Sequence, residues 1–168
     1  MIYKPTQNIA KRDITKKYVF LGGSIENGKA KDWQSEMTEF YTSLGYGVFN
    51  PRRNDWDSSW QQDFSNPQFF QQVMWELNAL DNVDLILFYI DPATVSPITL
   101  YEFGRYSTSG KVTMVCPDGF FRKGNIDIAC FKDNIPLFDT LEDYKRYFQY
   151  IYDTKRESIQ NKNHNRPV

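Results

Sequence analysis

Histidine and cysteine are scarce in this chain: its 168 residues include one histidine and two cysteines. The histidine, His164, lies in a polar C-terminal tail, which argues against a histidine-based zinc site and against a Ser-His-Asp triad. Cys116 and Cys130 make neither a disulfide framework nor a CxxC motif. This usage is typical of proteins in a reducing cytoplasm.

The sequence also lacks an excess of positive charge and a long hydrophobic run. Its 20 Lys and Arg against 21 Asp and Glu give a net charge of −1, so nothing favours sequence-independent binding to nucleic-acid phosphates. The longest apolar stretch, "VDLILFYI" at 83–90, is too short to cross a bilayer. The N-terminus lacks the apolar core of a signal peptide. We expect a cytoplasmic protein that binds neither a nucleic-acid polymer nor a membrane.

Apolar residues make up 40% of the chain and aromatic residues 17%, which indicates a packed globular protein. Short apolar runs typical of buried strands alternate with segments in which apolar residues recur at helical spacing. The predicted strands are 18–21, 45–50, 84–90, 111–116 and 135–138, and the predicted helices are 33–44, 68–80, 96–109 and 140–152.

This alternation predicts an α/β fold, a flavodoxin-like or Rossmann-like doubly wound parallel sheet of about five strands with helices on both faces. We expect a single domain over residues 17–152, an N-terminal extension over 1–16, and a polar, mobile tail over 153–168. Ligands of such folds bind outside the carboxyl ends of the strands. The loops that follow the strands are therefore where we expect a site.

The first of these loops, "GGSIENGKA", follows strand 18–21. From Gly23 it reads G-x-x-x-x-G-K-A, but Ala30 stands where a nucleotide-triphosphatase needs Ser or Thr to reach magnesium. A triphosphatase is therefore disfavoured. Gly22, Gly23 and Ser24 remain candidates for binding an anion or a sugar hydroxyl at a helix N-terminus. The alternative is a plain strand-to-helix turn.

The second loop, "NPRRNDWDSSW" at 50–60, combines polar, cationic and aromatic residues. Asn50 and Arg52 are candidates for substrate binding, because an arginine can hold a phosphate or carboxylate. Trp56 is a candidate for stacking on a flat base. The alternative is a salt-bridged loop whose aromatic residues cover the sheet edge. Asp91, at the end of strand 84–90, is a further candidate to bind substrate or to protonate a leaving base.

Two glutamates stand on predicted helices among apolar residues. Glu102 lies near the N-terminus of helix 96–109, where the helix dipole favours an ionised carboxylate. An ionised carboxylate in a partly dry cleft suits a nucleophile, although it can also serve only to complement the dipole. Glu76 lies at the edge of an apolar stripe, which predicts either a raised pKa suited to a general acid or a boundary side chain that reaches solvent.

Ser96 is predicted to cap the helix that carries Glu102. The two residues are six positions apart, so they lie about 9 Å apart along the helix axis. That spacing fits a pentose whose anomeric carbon meets Glu102 while its 5′ end meets Ser96 and the free backbone N–H groups.

Four segments carry a resemblance to a known family. "VFLGGSIENGKAKDWQ", "NPRRNDWDSSW", "WELNALDNVDLILFYIDPATVSPITLYEFG" and "CPDGFFRKGNIDIAC" occur in order between Tyr18 and Asp143, and together they resemble the nucleoside 2-deoxyribosyltransferase-like family. The resemblance implies a flavodoxin-like homo-oligomer that cleaves the N-glycosidic bond of a (deoxy)nucleoside or nucleotide. It also implies that Glu102 is the nucleophile and that Asn125 reaches the sugar 5′ end in a neighbouring subunit.

The sequence departs from the transferases of this family at three positions. Glu76 stands where they usually have an Asp that contacts the base, and Phe20 stands where they have a Tyr that orients the nucleophile. Ser96 stands where they have an Asp that grips the 5′-hydroxyl, whereas the related 5′-monophosphate N-glycosidases carry Ser there. A serine hydroxyl can donate to a 5′-phosphate that a carboxylate would repel.

These observations predict an enzyme that transfers a sugar from one base to another through a covalent glycosyl-glutamate on Glu102. The nearest alternative is a hydrolase of nucleoside 5′-monophosphates. The non-enzymatic alternative is a nucleotide-sensing module that keeps the pocket without chemistry. We expect a homo-oligomer, dimeric or larger, that acts on nucleosides or nucleotides and free bases without a metal or organic cofactor.

Overall fold

The computed structural model describes residues 1–26, 30–53, 55, 57 and 59–164, the last six of these by their backbone alone. Short 3-10 turns occur at Ile9–Lys11 and Ser107–Ser109. The strands are β1 (Ile2–Tyr3), β2 (Tyr18–Gly23), β3 (Gly47–Phe49), β4 (Leu85–Tyr89), β5 (Val112–Val115) and β6 (Leu137–Phe138). The helices are α1 (Trp33–Ser43), α2 (Pro67–Asn82), α3 (Pro97–Tyr106), α4 (Lys123–Asp133) and α5 (Leu141–His164).

The strands form one sheet in the order β1-β3-β2-β4-β5-β6. Every neighbouring pair is parallel, so the predicted doubly wound parallel sheet is confirmed. Strand β3 lies on one side of β2, and the next strand in the chain, β4, lies on the other side of β2. Strands β5 and β6 then follow β4 toward that edge of the sheet. The crevice between the ends of β2 and β4 is thus the switch point at which such folds bind ligands.

Helices cover both faces of the sheet because successive strand side chains point to opposite faces. On one face Phe20 and Phe88 pack with apolar residues of α2, α3 and α4. On the other face Leu21 and Leu87 pack with apolar residues of α1 and α5. The central strands are therefore buried on both sides, as their continuous apolar sequences predict.

Three parts of the fold differ from the sequence-based expectation. The short strand β1 lies within the segment expected to be only an extension, and it pairs with β3, which makes six strands instead of about five. Helix α4 was not predicted, and Asn125 lies in its first turn rather than in a loop. Helix α5 continues to His164, well beyond the predicted end at residue 152.

Candidate active site

Three hydroxyl groups meet at the switch point, and we call Ser24, Thr94 and Ser96 the hydroxyl cluster. Ser24 Oγ lies 2.8 Å from Thr94 Oγ1 and 2.7 Å from Ser96 Oγ, and the last two oxygens lie 2.8 Å apart. Their residues are 1%, 8% and 5% exposed. The cluster joins the loop after β2 to the loop after β4, so the two loops hold a fixed relation across the crevice.

The backbone of Asp91 completes this network. Its N–H donates to Ser24 Oγ at 2.8 Å, and its carbonyl accepts from the Thr94 hydroxyl at 2.8 Å. The Asp91 carboxylate accepts from the Ala93 N–H at 2.9 Å. The structure therefore places Asp91, a predicted substrate-binding residue, beside the hydroxyl cluster with its side chain engaged in a local turn.

Ser96 does not cap α3 through its side chain, which corrects the prediction from sequence. It precedes Pro97 at the N-cap position, but its backbone is left-handed (φ 46°, ψ 49°) and its hydroxyl makes no capping hydrogen bond. A residue that caps a helix with its side chain typically has an extended backbone. The hydroxyl instead contacts Ser24 and Thr94.

A carboxylate from the first loop occupies the N–H groups in front of α3. Glu26 Oε1 accepts from the backbone N–H of Val95 and of Ser96, each at 3.1 Å. These two N–H groups are therefore occupied in the free protein. The loop after β2 thus contributes a negative charge to the start of the helix that carries Glu102.

Glu102 is 6% exposed. Burial, reinforced by the nearby charge of Glu76, raises its pKa to about 8. The expectation that the dipole of α3 keeps Glu102 ionised is therefore wrong for the free protein. Glu102 is the sixth residue of α3, and the dipole effect falls off within the first turn, so loss of water dominates.

Glu76, on α2, is half-buried, and burial raises its pKa to about 7. The Gln72 side-chain amide donates to Glu76 Oε1 at 2.7 Å and opposes that rise. The Gln72 carbonyl in turn accepts from Arg53 at 3.3 Å, which fixes the orientation of the amide. The predicted raised pKa of Glu76 is confirmed, and its charge acts on Glu102.

The loop after β3 is tied to the loop after β2. Asn50 is 2% exposed, and it accepts from the Arg52 N–H at 2.9 Å. The Arg52 guanidinium donates to the carbonyls of Ala30 (3.0 Å) and Lys31 (3.3 Å). In the free protein Asn50 and Arg52 thus organise the two loops. Trp56, predicted to stack on a base, lies outside the described residues.

The glycines that end β2 are required by close packing. A Cβ on Gly22 would lie 2.5 Å from the ring of Phe88. A Cβ on Gly23 would lie 2.1 Å from the carbonyl oxygen of Tyr89, and its φ of +148° strains any other residue. The glycines therefore let β2 and β4 approach at the switch point, and this holds Ser24 at the crevice.

Asn125 is exposed in the first turn of α4. Within the described residues, the hydrogen bonds that join Ser24, Asp91 and Ser96 do not reach it. Its predicted contact is with a sugar bound by a neighbouring subunit, so one chain by itself does not place it in the site.

The described residues contain no group of three or more His, Cys, Asp or Glu side chains arranged to hold a metal ion. Among them, no helix has both the length and the hydropathy needed to cross a membrane.

Comparison with known families supplies the deciding observation. The family model described as "Nucleoside 2-deoxyribosyltransferase like" matches residues 16–120, which is more than half of the chain. The chain belongs to this family. A comparison with curated proteins finds no match.

The family match covers most of the candidate site residues. Ser24, Glu76, Ser96 and Glu102 all lie inside the matched segment, whereas Asn125 lies beyond its end. Membership in this family indicates a glycosyl-transfer enzyme whose substrates are small molecules of the nucleoside class.

Three residues of the site were not found from the sequence. No sequence pattern indicates Thr94 or Glu26, because each contacts a residue about 70 positions away. Thr94 contacts Ser24, and Glu26 contacts Ser96. Gln72 did have a signal: it precedes Glu76 by four residues, the spacing at which helical side chains meet.

Proposed function

We propose that this protein is a nucleoside 2-deoxyribosyltransferase that uses Glu102 as the nucleophile and Glu76 as the general acid and base. The observation that supports this role is a buried carboxyl group, Glu102, beside a half-buried one, Glu76, with both pKa values raised and the charge of Glu76 acting on Glu102. The pair belongs to helices beside the switch point of the sheet. Two interacting carboxyl groups are what retaining glycosidic chemistry uses.

The proposed first step breaks the bond between C1′ and the base nitrogen. A Glu102 carboxylate oxygen bonds to C1′, the electron pair of the broken bond goes to the base, and the proton on Glu76 neutralises the leaving base. In the second step a nitrogen of another base bonds to C1′ and releases the Glu102 carboxylate. The incoming base gives its N–H proton to Glu76, so the enzyme returns to its starting state.

The raised pKa values suit this cycle. Glu76 and Glu102 have pKa values of about 7 and about 8, so between pH 7 and pH 8 the two carboxyl groups together hold one proton. Because the two groups interact, this proton is shared between them and is not assigned to one residue. The productive form has the proton on Glu76 and the charge on Glu102. Positive charge that develops on the sugar during bond cleavage stabilises this form, because it interacts with the Glu102 carboxylate.

Hydrolysis of nucleoside 5′-monophosphates is the second candidate, and Ser96 is the observation that favours it. Water would then take the place of the second base. A nucleotide-sensing module is the candidate of another class. The cost of burying two interacting carboxyl groups argues against it, since binding alone does not require them.

A product assay separates these candidates. Each of the four 2′-deoxynucleosides and each of their 5′-monophosphates is incubated with the protein, alone and with a second free base, and the products are separated by chromatography. A new nucleoside that forms only with added base supports the transferase. Free base released from a monophosphate without an acceptor supports the hydrolase.

Three variants provide the controls. Glu102→Gln is expected to lose turnover by at least about a thousandfold, since it removes the nucleophile. Glu76→Gln is expected to lose less, about 10²–10⁴-fold, as for a general acid. Glu39→Gln removes a carboxyl from the exposed face of α1 and should keep full activity. Cleavage by Glu102→Gln at the parent rate would contradict the proposed nucleophile.

We also propose that the protein works as a cytoplasmic homo-oligomer. Large apolar side chains are exposed on α3 (Ile98 and Tyr101) and on α4 (Ile128 and Phe131), and such exposure is typical of surfaces that meet a partner. A second copy packed there would cover residues of α3, the helix that carries Glu102. Light scattering after gel filtration measures the mass, and a monomer at micromolar concentration would contradict this proposal.

A further inference from the structure

We propose that Glu26 makes this site selective for a free 5′-hydroxyl over a 5′-phosphate. This inference rests on the proposed function and names the substrate class: nucleosides rather than their monophosphates. It assigns the selection to a residue of the first loop, and not to Ser96 alone.

The first step of the argument concerns charge. Glu26 Oε1 is held by two backbone N–H groups, those of Val95 and Ser96, at 3.1 Å each. A phosphate at the start of α3 would seek the same donors. The negative charge that the phosphate would bring is already supplied by a side chain of the protein. A phosphate must therefore either displace Glu26 or lie beside it, and contact between like charges is strongly unfavourable.

The second step concerns hydrogen-bond donors. The hydroxyl cluster has three protons, and that of Thr94 is donated to the Asp91 carbonyl. Only the hydroxyl protons of Ser24 and Ser96 remain to donate within the cluster, which has three oxygen–oxygen contacts of 2.7–2.8 Å. None of these hydroxyls can donate to a phosphate without giving up a hydrogen bond that it makes within the cluster or to the Asp91 carbonyl. A serine at position 96 therefore does not by itself provide a phosphate site.

The third step concerns what does fit. A sugar 5′-hydroxyl both donates and accepts, so it can donate to the Glu26 carboxylate. Its oxygen can accept from the first turn of α3, where Ser96 supplies no side-chain cap. Glu102 lies about 9 Å farther along the same helix, the spacing that places C1′ at the nucleophile. The arrangement thus suits a neutral 5′ end.

The test compares kcat/KM for a 2′-deoxynucleoside with kcat/KM for its 5′-monophosphate. We expect the parent protein to favour the nucleoside, and Glu26→Gln to reduce this ratio by about tenfold or more, because it removes the repelling charge but keeps the accepting oxygen. Glu26→Asp keeps the charge, and Glu39→Gln removes a charge elsewhere. Both should keep the parent's preference for the nucleoside. A parent that favours the monophosphate, or a Glu26→Gln variant with an unchanged ratio, would overturn the proposal.

A binding measurement separates this inference from the proposed function. Calorimetric titration of Glu102→Gln with the same two ligands gives a ratio of Kd values that does not depend on turnover. If the parent protein cleaves neither ligand but Glu102→Gln binds the nucleoside more tightly, and the added Glu26→Gln change removes this difference, the catalytic proposal fails and the selectivity stands. If both ligands are cleaved equally well, the selectivity fails and the catalytic proposal stands. If neither ligand binds, both proposals fail.

Discussion

Replacing Glu102 by glutamine should stabilise the protein increasingly as the pH rises. In the folded protein the pKa of Glu102 is about 8, against an ordinary value of 4.5. Between these two values the folded chain holds a proton that the unfolded chain has released. The free energy of unfolding therefore falls as the pH rises through this range. Glutamine resembles the protonated acid and never ionises, so the variant lacks this loss.

The magnitude follows from the pKa difference. Each pH unit that separates the folded from the unfolded pKa corresponds to about 1.4 kcal/mol. Between pH 5 and pH 9 the unfolding free energy of Glu102→Gln, relative to the parent, should rise by about 4 kcal/mol. Glu102 is 6% exposed, so screening by solvent reduces this figure little. An effect of this size is large beside a typical domain stability of about 5–15 kcal/mol.

Urea denaturation, followed by tryptophan fluorescence at a series of pH values, measures this difference. Glu39→Gln is the matched control, because it removes a carboxyl from the exposed face of α1 and should change stability by less than about 0.5 kcal/mol. In Glu76→Gln the pKa of Glu102 should fall, since the charge of Glu76 is one cause of its rise, and the pH-dependent gain should shrink. A relative stability of Glu102→Gln that stays constant within about 1 kcal/mol from pH 5 to pH 9 would refute the reasoning.

Three further predictions follow from the same geometry. The pH profile of kcat/KM should be bell-shaped with its maximum between about 7 and 8, because activity needs one proton on the Glu76–Glu102 pair; a profile flat from pH 6 to 9 would contradict this. Gln72→Met removes a hydrogen bond that lowers the pKa of Glu76, so pH-dependent kinetics should show that pKa moving upward, and an unchanged profile would deny Gln72 a positioning role. Gly23→Ala should lower the free energy of unfolding by more than about 2 kcal/mol, because the added Cβ would lie 2.1 Å from the Tyr89 carbonyl oxygen; thermal denaturation measures this, and an unchanged Tm would contradict the packing argument.

The sheet was predictable from sequence because its central strands are buried on both faces. The apolar runs of β2 and β4 have no polar interruption, and this pattern is typical of central parallel strands. The two elements that were missed carry weak patterns. Strand β1 has two residues, too few for any periodicity. Helix α4 buries only Ile126 and Cys130, so its apolar residues do not form the stripe from which a helix is recognised.

The two glutamates were predictable one at a time, but their shared electrostatics were not. Both Glu76 and Glu102 have apolar neighbours in the sequence, and for Glu76 this pattern predicted a raised pKa. For Glu102 the sequence predicted instead that the helix dipole dominates. Tertiary packing decides this balance, because it removes water from Glu102 and brings the charge of Glu76 from another helix. Neither effect is visible in the sequence around Glu102.

Ser96 shows how the meaning of one residue depends on distant ones. Its type and its place before Pro97 predicted a capping serine, and a proline disfavours a helical backbone at the residue before it. The backbone instead turns into the left-handed region, where a residue other than glycine is strained by about 1–2 kcal/mol. Two contacts hold it there: its N–H donates to Glu26, and its hydroxyl lies in the cluster with Ser24. Both partners belong to the loop after β2, so the conformation at position 96 depends on that loop. If Glu26 holds this turn, Glu26→Ala should release the strained backbone and loosen the start of α3, which faster hydrogen exchange at residues 95 and 96 would report; unchanged exchange there would show that the hydroxyl cluster suffices.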